Sequence, residues 1–197
     1  MFERFRRDLQ RLFDLDATGG SLSAKARALF HYPQIQGLAV YRFGHWVNER
    51  VKPAPLRVPL KIAYHVADKT VAALWGVHID DGADIGGGLY LGQHLVIGPV
   101  KMGEDCNVGS NTLIGRRSDG AGKGGVPTIG DRVWIGAGSI VFGGIVVGEG
   151  TSIAPLTVIG RNVPPNTLAL GNPMQILRKN YDNSQQIYGK ARASSDR

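Results

Sequence analysis

Aliphatic residues recur at every sixth position in the stretch VWIGAGSIVFGGIVVGEG, which begins at Val133. A helix repeats every 3.6 residues and a strand every two, so neither explains this period. The same register extends far beyond this stretch, with only two breaks. Its aliphatic positions are Ile79, Ile85, Leu91, Ile97, Met102, Val108, Ile114, Ile129, Ile135, Val141, Val147, Ile153 and Ile159.

A parallel β-helix accounts for a six-residue period. If each hexad forms one flat side of a triangular coil, its aliphatic side chain points inward and stacks on those of the neighbouring coils. Glycine follows most of these positions, as in Gly86 and Gly136, and it permits a tight corner. Each buried Ile or Val contributes about 1.5–3 kcal/mol, so a continuous stack can hold the coils together.

The two breaks in the register predict insertions on the surface of the solenoid. The first is small and lies around Pro99. The second reads RRSDGAGKGGVPT, from Arg116 to Thr128, and is too polar to form a side of a coil. We expect it to project as a loop, which is either a binding element on a rigid scaffold or a solvated surface segment.

Changes in hydrophobic periodicity and composition divide the chain into three parts. Residues 1–76 are predicted to be an α-helical region, residues 77–163 the β-helix, and residues 164–197 a short C-terminal cap followed by a mobile polar tail beyond Tyr181. The predicted fold is therefore mainly β. An apolar face on the first helix, flanked by arginines, is formed by Phe2, Phe5, Leu9, Leu12 and Phe13. This face could lie on an anionic membrane, but we expect it to pack on another helix or subunit.

Composition narrows the functional classes. The net charge is +7, yet no basic stripe is interleaved with aromatic residues, so no nucleic acid partner is expected. The single cysteine, Cys106, excludes an intrachain disulfide and a cysteine-based zinc site, and we interpret it as a core residue. No apolar run is long enough to span a bilayer, so a soluble, cytoplasmic protein is expected.

The hexads, the projecting loop and the closing NVPPNTLALGNP resemble the left-handed β-helix acyltransferases of the hexapeptide-repeat superfamily. Two further segments narrow the resemblance to serine O-acetyltransferase and its relatives from exopolysaccharide gene clusters. They are HYPQIQGLAVYRFGHW, from His31, and WGVHIDDGADIGGGLYLG. The resemblance implies transfer of an acetyl group from acetyl-CoA, the acyl donor, to a hydroxyl of serine or of a sugar in polysaccharide biosynthesis. It also implies homotrimers, or dimers of such trimers, with active sites between neighbouring β-helices and no metal.

The family's catalytic positions are altered in this sequence. The position of its aspartate falls on His78, that of its catalytic histidine falls on Gln93, and Val126 precedes the proline that closes the loop. A small residue before that proline is typical of the exopolysaccharide relatives. We predict that His94, beside Gln93, is the general base, and that His78 assists it or binds the acceptor. A general base accelerates such a reaction by about 10²–10⁴-fold. The alternative is that both histidines have structural roles.

For the acyl donor, the resemblance implies that Gly136 and Ala137 lie beside the pantetheine arm of CoA. Glycine and alanine are also what a tight corner requires. Lys123, with the arginines that open the projecting loop, and Arg178 are candidates to contact the phosphates. The pattern GxxxxGK[ST] is not present around Lys123, so this loop is not a nucleotide P-loop.

Two other functions stay open. A catalytically inactive β-helix that serves as a scaffold or regulatory subunit is suggested by the altered catalytic positions. A metal-dependent β-helix such as a γ-type carbonic anhydrase would need three histidine ligands, and only His78 and His94 lie in the coils.

Overall fold

The structure, a computed structural model, describes residues 2–15, 32–117 and 124–189. Within these ranges, helices α1 (Phe2–Leu15), α2 (Pro33–Arg50) and α3 (Ala54–Trp75) precede a left-handed parallel β-helix, and a short helix α4 (Ser184–Tyr188) follows it. The strands are β1 (Val77–Ile79), β2 (Asp84–Ile85), β3 (Tyr90–Leu91), β4 (Leu95–Ile97), β5 (Lys101–Met102), β6 (Asn107–Val108), β7 (Leu113–Gly115), β8 (Thr128–Ile129), β9 (Trp134–Ile135), β10 (Ile140–Phe142), β11 (Val146–Val147), β12 (Ser152–Ile153), β13 (Val158–Ile159), β14 (Thr167–Leu170) and β15 (Gln175–Lys179).

These strands form the three flat faces of a triangular prism of about five coils. The first face has the order β1-β4-β7-β10-β13, the second β2-β5-β8-β11, and the third β3-β6-β9-β12-β14-β15. Neighbouring strands pair in parallel, except for β14 and β15, which are antiparallel and cap the C-terminal end of the third face. The predicted β-helix is confirmed.

The core consists of the aliphatic stacks that the hexads predict. All thirteen aliphatic positions of the register are 5% exposed or less. On the first face, Ile79 pairs with Ile97, Ile97 with Ile114, and Val141 with both Ile114 and Ile159. Each coil therefore buries its side chains against the coils next to it, and the solenoid is stabilised by contacts between neighbours.

Helix α1 docks on the β-helix through charged side chains. Asp8 receives two hydrogen bonds from the Arg42 guanidinium of α2, at 2.9 and 3.1 Å, and one from the Leu89 backbone N–H at 2.8 Å. Arg11 donates to backbone carbonyls, among them that of Cys106 at 3.1 Å. Asp8, Arg11 and Arg42 are buried, while Phe2 is 79% exposed. The predicted apolar face is thus only partly buried, because much of the contact of α1 with the coils is polar and runs through arginines that donate to backbone carbonyls.

The segment after Tyr181 is not a free tail throughout. Up to Gly189 it is described, and α4 packs against the coils with Ile187 fully buried. The Ile187 carbonyl accepts a hydrogen bond of 2.7 Å from Arg11, and Asn183 Nδ2 donates to the Arg132 carbonyl at 2.7 Å. One apolar anchor and these polar contacts therefore join this part to the coils, and the mobility of the tail stays a prediction. Residues 190–197 lie outside the described ranges.

Candidate functional site

A groove of about 430 Å³ runs along the third face, where the coils turn toward the first face. Side chains of three successive strands, Tyr90, Asn107 and Trp134, form its base. The corner residues that follow these strands and β12 form its side, namely Gln93, Ser110, Ala137 and Pro155. Because these positions recur once per coil, the groove is a slot parallel to the axis of the β-helix.

The lining of this groove is uncharged and suits a thin, neutral chain. Gln34 of α2 also lines the groove, and its Oε1 atom is buried without a hydrogen-bond partner among the described residues. A buried amide oxygen of this kind can accept a hydrogen bond from an N–H group of a ligand. The pantetheine arm of CoA, which consists of methylene and amide groups, has the chemistry that this lining requires.

The two predicted pantetheine contacts have different surroundings. Ala137 is exposed and lines the groove. Gly136 is buried between coils, where an added Cβ would lie 2.5 Å from the backbone nitrogen of Pro155. The close approach of two coils thus requires a glycine at position 136, whatever binds in the groove.

His78 forms a pair with a carboxylate that the sequence does not indicate. Its Nδ1 atom lies 3.0 and 3.1 Å from the two carboxylate oxygens of Asp68 in α3. The side chain of His78 is 40% exposed and that of Asp68 is 15% exposed. A carboxylate on Nδ1 fixes the ring and its tautomer, so that Nε2 faces outward as a potential base.

The end of α3 explains how Asp68 reaches His78. The helix stops at Gly76, which has a φ of +64° and whose N–H donates to the Ala72 carbonyl at 2.9 Å. This left-handed residue reverses the chain, so the last turns of α3 lie against β1. A side chain ten positions before His78 is thereby brought beside it.

His94 occupies a corner rather than the groove. It has a φ of +52°, and the equivalent corners of later coils hold Asn111, Gly138 and Leu156 at φ values of +58°, +71° and +59°. Because four different residue types adopt this conformation, the geometry of the coil imposes it. The neighbouring Gln93 lines the groove instead.

The structure nevertheless brings the two predicted histidines to the same end of the β-helix. The His94 ring lies against Gly76, where an added Cβ would be 2.7 Å from its Cδ2 atom. Gly76 is two residues before His78 in the chain. In the described ranges, no group of three His, Cys, Asp or Glu side chains is arranged to hold a metal ion.

Of the predicted phosphate contacts, Arg178 and the arginines that open the projecting loop lie in the described part of the chain. Lys123 lies outside the described residues. Arg117, at the start of the projecting loop, places its guanidinium 6.0 Å from the centre of the Phe142 ring. Arg178 is exposed on β15, opposite Leu168, and so belongs to the C-terminal end of the sheet that forms the base of the groove.

Cys106 takes no part in this site. It is fully buried, and burial raises the pKa of its thiol from 9.0 to about 12. A thiol that stays protonated is a poor nucleophile, so the interpretation of Cys106 as a core residue is confirmed.

Asp68 and Gln34 are the residues that sequence reasoning missed. Both lie in helices. Asp68 belongs to no motif, and Gln34 lies in the segment HYPQIQGLAVYRFGHW without being singled out there. The available signal for Asp68 was Gly76, because a glycine between a helix and a strand predicts a reversal that sets the last helical turns beside that strand.

Two family models match the chain. The model of the bacterial transferase hexapeptide (six repeats) matches residues 127–161, and that of the hexapeptide repeat of succinyl-transferase matches residues 99–115. Among curated proteins, a serine acetyltransferase of Synechococcus elongatus is 28% identical over 201 residues, spanning 98% of this chain and 78% of the relative. The serine acetyltransferase of Helicobacter pylori is 30% identical over 158 residues, spanning 79% of this chain and 87% of the relative.

Solved structures show the same architecture. Soybean serine acetyltransferase without ligand superimposes with a TM-score of 0.73 at 24% identity, over 89% of this chain and 68% of that chain. The Brucella abortus serine acetyltransferase in complex with coenzyme A gives 0.74 at 21% identity, over 90% and 67%. At this identity the likeness establishes a shared fold.

Proposed function

Since the chain belongs to the serine acetyltransferase family of hexapeptide-repeat acyltransferases, we propose that it transfers the acetyl group of acetyl-CoA to the hydroxyl of serine. The observation that carries this proposal is the Asp68–His78 pair at the N-terminal end of the β-helix, near the corner that borders the groove. The names of the relatives support serine as the acceptor.

In this mechanism His78 is the general base. An alcohol is a weak nucleophile at neutral pH, so Nε2 of His78 accepts the hydroxyl proton as the oxygen attacks the acyl carbon. Asp68 holds the ring through Nδ1 and stabilises the imidazolium that forms. Acetyl-CoA supplies the acetyl group as a thioester. His78 then returns its proton to the departing sulfur, which leaves an acetyl ester and the free thiol of CoA.

The assignment of the base to His78 instead of His94 follows from their partners. Asp68 orients His78, whereas no carboxylate of the described residues forms an ion pair with His94. The residue at the family's histidine position, Gln93, lines the groove and can contact the acceptor or the donor by hydrogen bonding. We propose that His94 flanks the reacting groups.

For the acyl donor, we propose that the pantetheine arm lies in the groove against Ala137 and that Gln34 accepts a hydrogen bond from one of its amides. Lys123 and Arg178 are proposed to contact the phosphates, since both are cationic and Arg178 extends the same sheet. Gly136 supports this arrangement by allowing the coils to approach.

The open side of the groove favours a homotrimer in which a neighbouring β-helix completes the site. A dimer of such trimers is also compatible with this site. We further propose that the protein is cytoplasmic. Light scattering after gel filtration tests the assembly: a trimer has a mass near three times 21.2 kDa. A sample that is active as a monomer would contradict a site shared between subunits.

A sugar hydroxyl is the second candidate acceptor. Two features resemble the relatives from exopolysaccharide clusters. They are the charged loop that begins at Arg116 and the small residue Val126 before its closing proline. A loop with arginine and lysine also suits an acidic sugar. In this case the same pair, Asp68 and His78, performs the proton transfer.

The decisive experiment measures release of free CoA thiol from acetyl-CoA with L-serine and with a panel of neutral and acidic sugars, and identifies the ester by mass spectrometry. We expect His78→Ala to lower kcat by about 10²–10⁴-fold. Asp68→Asn should lower kcat, because the ring loses the carboxylate that orients it and stabilises the imidazolium. His65→Ala, an exposed histidine of α3, is the matched control.

The outcomes separate the hypotheses. If none of the acceptors in the panel led to release of CoA thiol, the inactive scaffold would be favoured. Full activity of His78→Ala with loss in His94→Ala would move the base to His94. Activity on a sugar but not on serine would select the second acceptor.

A further inference from the structure

The outward face of α3 is largely apolar. The opposite face buries Tyr64 and Val71 against the rest of the protein. Five large aliphatic side chains point outward and are more than half exposed, namely Leu56 (53%), Val58 (57%), Ile62 (59%), Val66 (62%) and Leu74 (64%). A helix on the surface of a soluble domain carries polar residues on its outer side, so a face of this composition indicates a binding surface.

The charge of this segment is predominantly positive. Residues 50–75 contain five Lys or Arg and a single acidic residue, Asp68, so they carry +4 of the chain's net charge of +7. Asp68 is largely buried and paired with His78, and its charge does not offset the others at the surface. The exposed or half-exposed charges of α3 are those of Arg57, Lys61 and Lys69.

We propose that this face of α3 docks on the surface of an anionic lipid bilayer. The helix would lie parallel to the membrane, with Val58, Ile62 and Val66 inserted between the headgroups and Lys61 and Lys69 contacting lipid phosphates. Apolar area together with attraction to anionic lipid is the combination that binds amphipathic helices to membranes. None of the described helices is long and apolar enough to cross a bilayer, and the proposal requires only a peripheral contact.

Charge favours this occupant over a second copy of the chain. Pairing two α3 faces would bring the cations Arg57, Lys61 and Lys69 of both helices close together, with no exposed acidic side chain in α3 to offset them. An anionic membrane supplies the opposite charge over the whole length of the helix. The inference uses no residue of the groove and holds whether or not the chain is catalytically active.

Vesicle flotation tests the proposal with the full chain. Vesicles of phosphatidylcholine with about one third phosphatidylglycerol should bind the protein at least about tenfold more tightly than phosphatidylcholine alone, and salt should weaken the binding. The double variant Ile62→Asp with Val66→Asp should lose binding, and Lys61→Glu with Lys69→Glu should lose the preference for anionic lipid. Leu177→Asp, which changes an equally exposed leucine on β15, should bind like the wild type.

Three results would overturn the proposal. The first is a wild-type protein that floats with neither vesicle. The second is equal binding to neutral and anionic vesicles. The third is a smaller oligomer for the Ile62→Asp, Val66→Asp variant while the wild type ignores lipid, which would assign the face to a protein interface. The substituted side chains are exposed, and circular dichroism of each variant verifies the fold.

Discussion

The buried ion pair between Asp8 and Arg42 provides a quantitative test of how α1 is held. In an Asp8→Ala variant, the Arg42 guanidinium keeps its hydrogen bonds to the carbonyls of Ile85 and Gly86, at 2.7 and 2.6 Å, but loses both bonds to the carboxylate. The N–H of Leu89 also loses its acceptor. Both side chains of the pair are about 1% exposed or less, so water cannot replace the missing partner without opening the structure.

Removing one partner of such a pair costs about 3–5 kcal/mol. For a chain of 197 residues, each kcal/mol lowers Tm by about 2–4 °C, so we expect a decrease of about 6–20 °C in thermal denaturation followed by circular dichroism. Arg4→Ala is the control, because its pair with Asp84 has side chains that are 46% and 63% exposed, and such pairs contribute less than about 1 kcal/mol. Combining Asp8→Ala with Arg42→Met should recover part of the loss, since no unpaired charge stays buried. An Asp8→Ala variant as stable as Arg4→Ala would refute the reasoning.

Three further predictions concern the β-helix. Ile135→Ala removes a fully buried side chain and should cost about 2–5 kcal/mol in urea denaturation, whereas Ile140→Ala, at a partly exposed position, should cost less than about 1 kcal/mol. Gly136→Ala should destabilise the protein by about 1–3 kcal/mol, because its Cβ meets the backbone of the next coil. Gly115→Ala, with nothing within 4 Å of its Cβ, should be neutral. Equal effects of the two substitutions would contradict the packing argument. The pKa of Cys106 is raised from 9.0 to about 12 in the folded protein, so the folded state holds the thiol proton more tightly than the unfolded state. The protonated thiol therefore makes its full contribution to stability below pH 9, and this contribution falls as the pH rises toward 12. Cys106→Ala should therefore lose less stability than the wild type between these pH values, and the wild-type thiol should react with a thiol reagent only on unfolding.

The hexad register predicted the β-helix because its information is local and repeated. An inward-facing aliphatic side chain at every sixth position fixes the flat sides of the coils, and each coil needs only its neighbours to bury it. The stack that includes Ile79, Ile97 and Ile114 follows from the order of the chain alone. Even the conformation at the corner of His94 belongs to this repeat, since Asn111 and Leu156 share it.

The partners of the polar side chains could not be predicted in this way. Asp68 meets His78 only because Gly76 reverses the chain after α3, and no motif in the helix indicates that contact. Gln34 reaches the groove because α2 packs beside the coils, so its role depends on the angle of a helix against a face. The candidate histidines were recognisable by residue type, but the carboxylate beside one of them was visible only in the structure.

By itself, the sequence determined the architecture, because burial of a periodic apolar set against adjacent coils leaves one arrangement for the backbone. Only the tertiary structure decided which charged groups are buried, which histidine has a carboxylate partner and which helix face stays apolar and open. Asp8 and Arg42 lie 34 residues apart in the chain. Contacts over such distances depend on how whole elements pack, and the free energy that selects them comes from satisfying buried hydrogen-bonding groups that no local pattern of residues specifies.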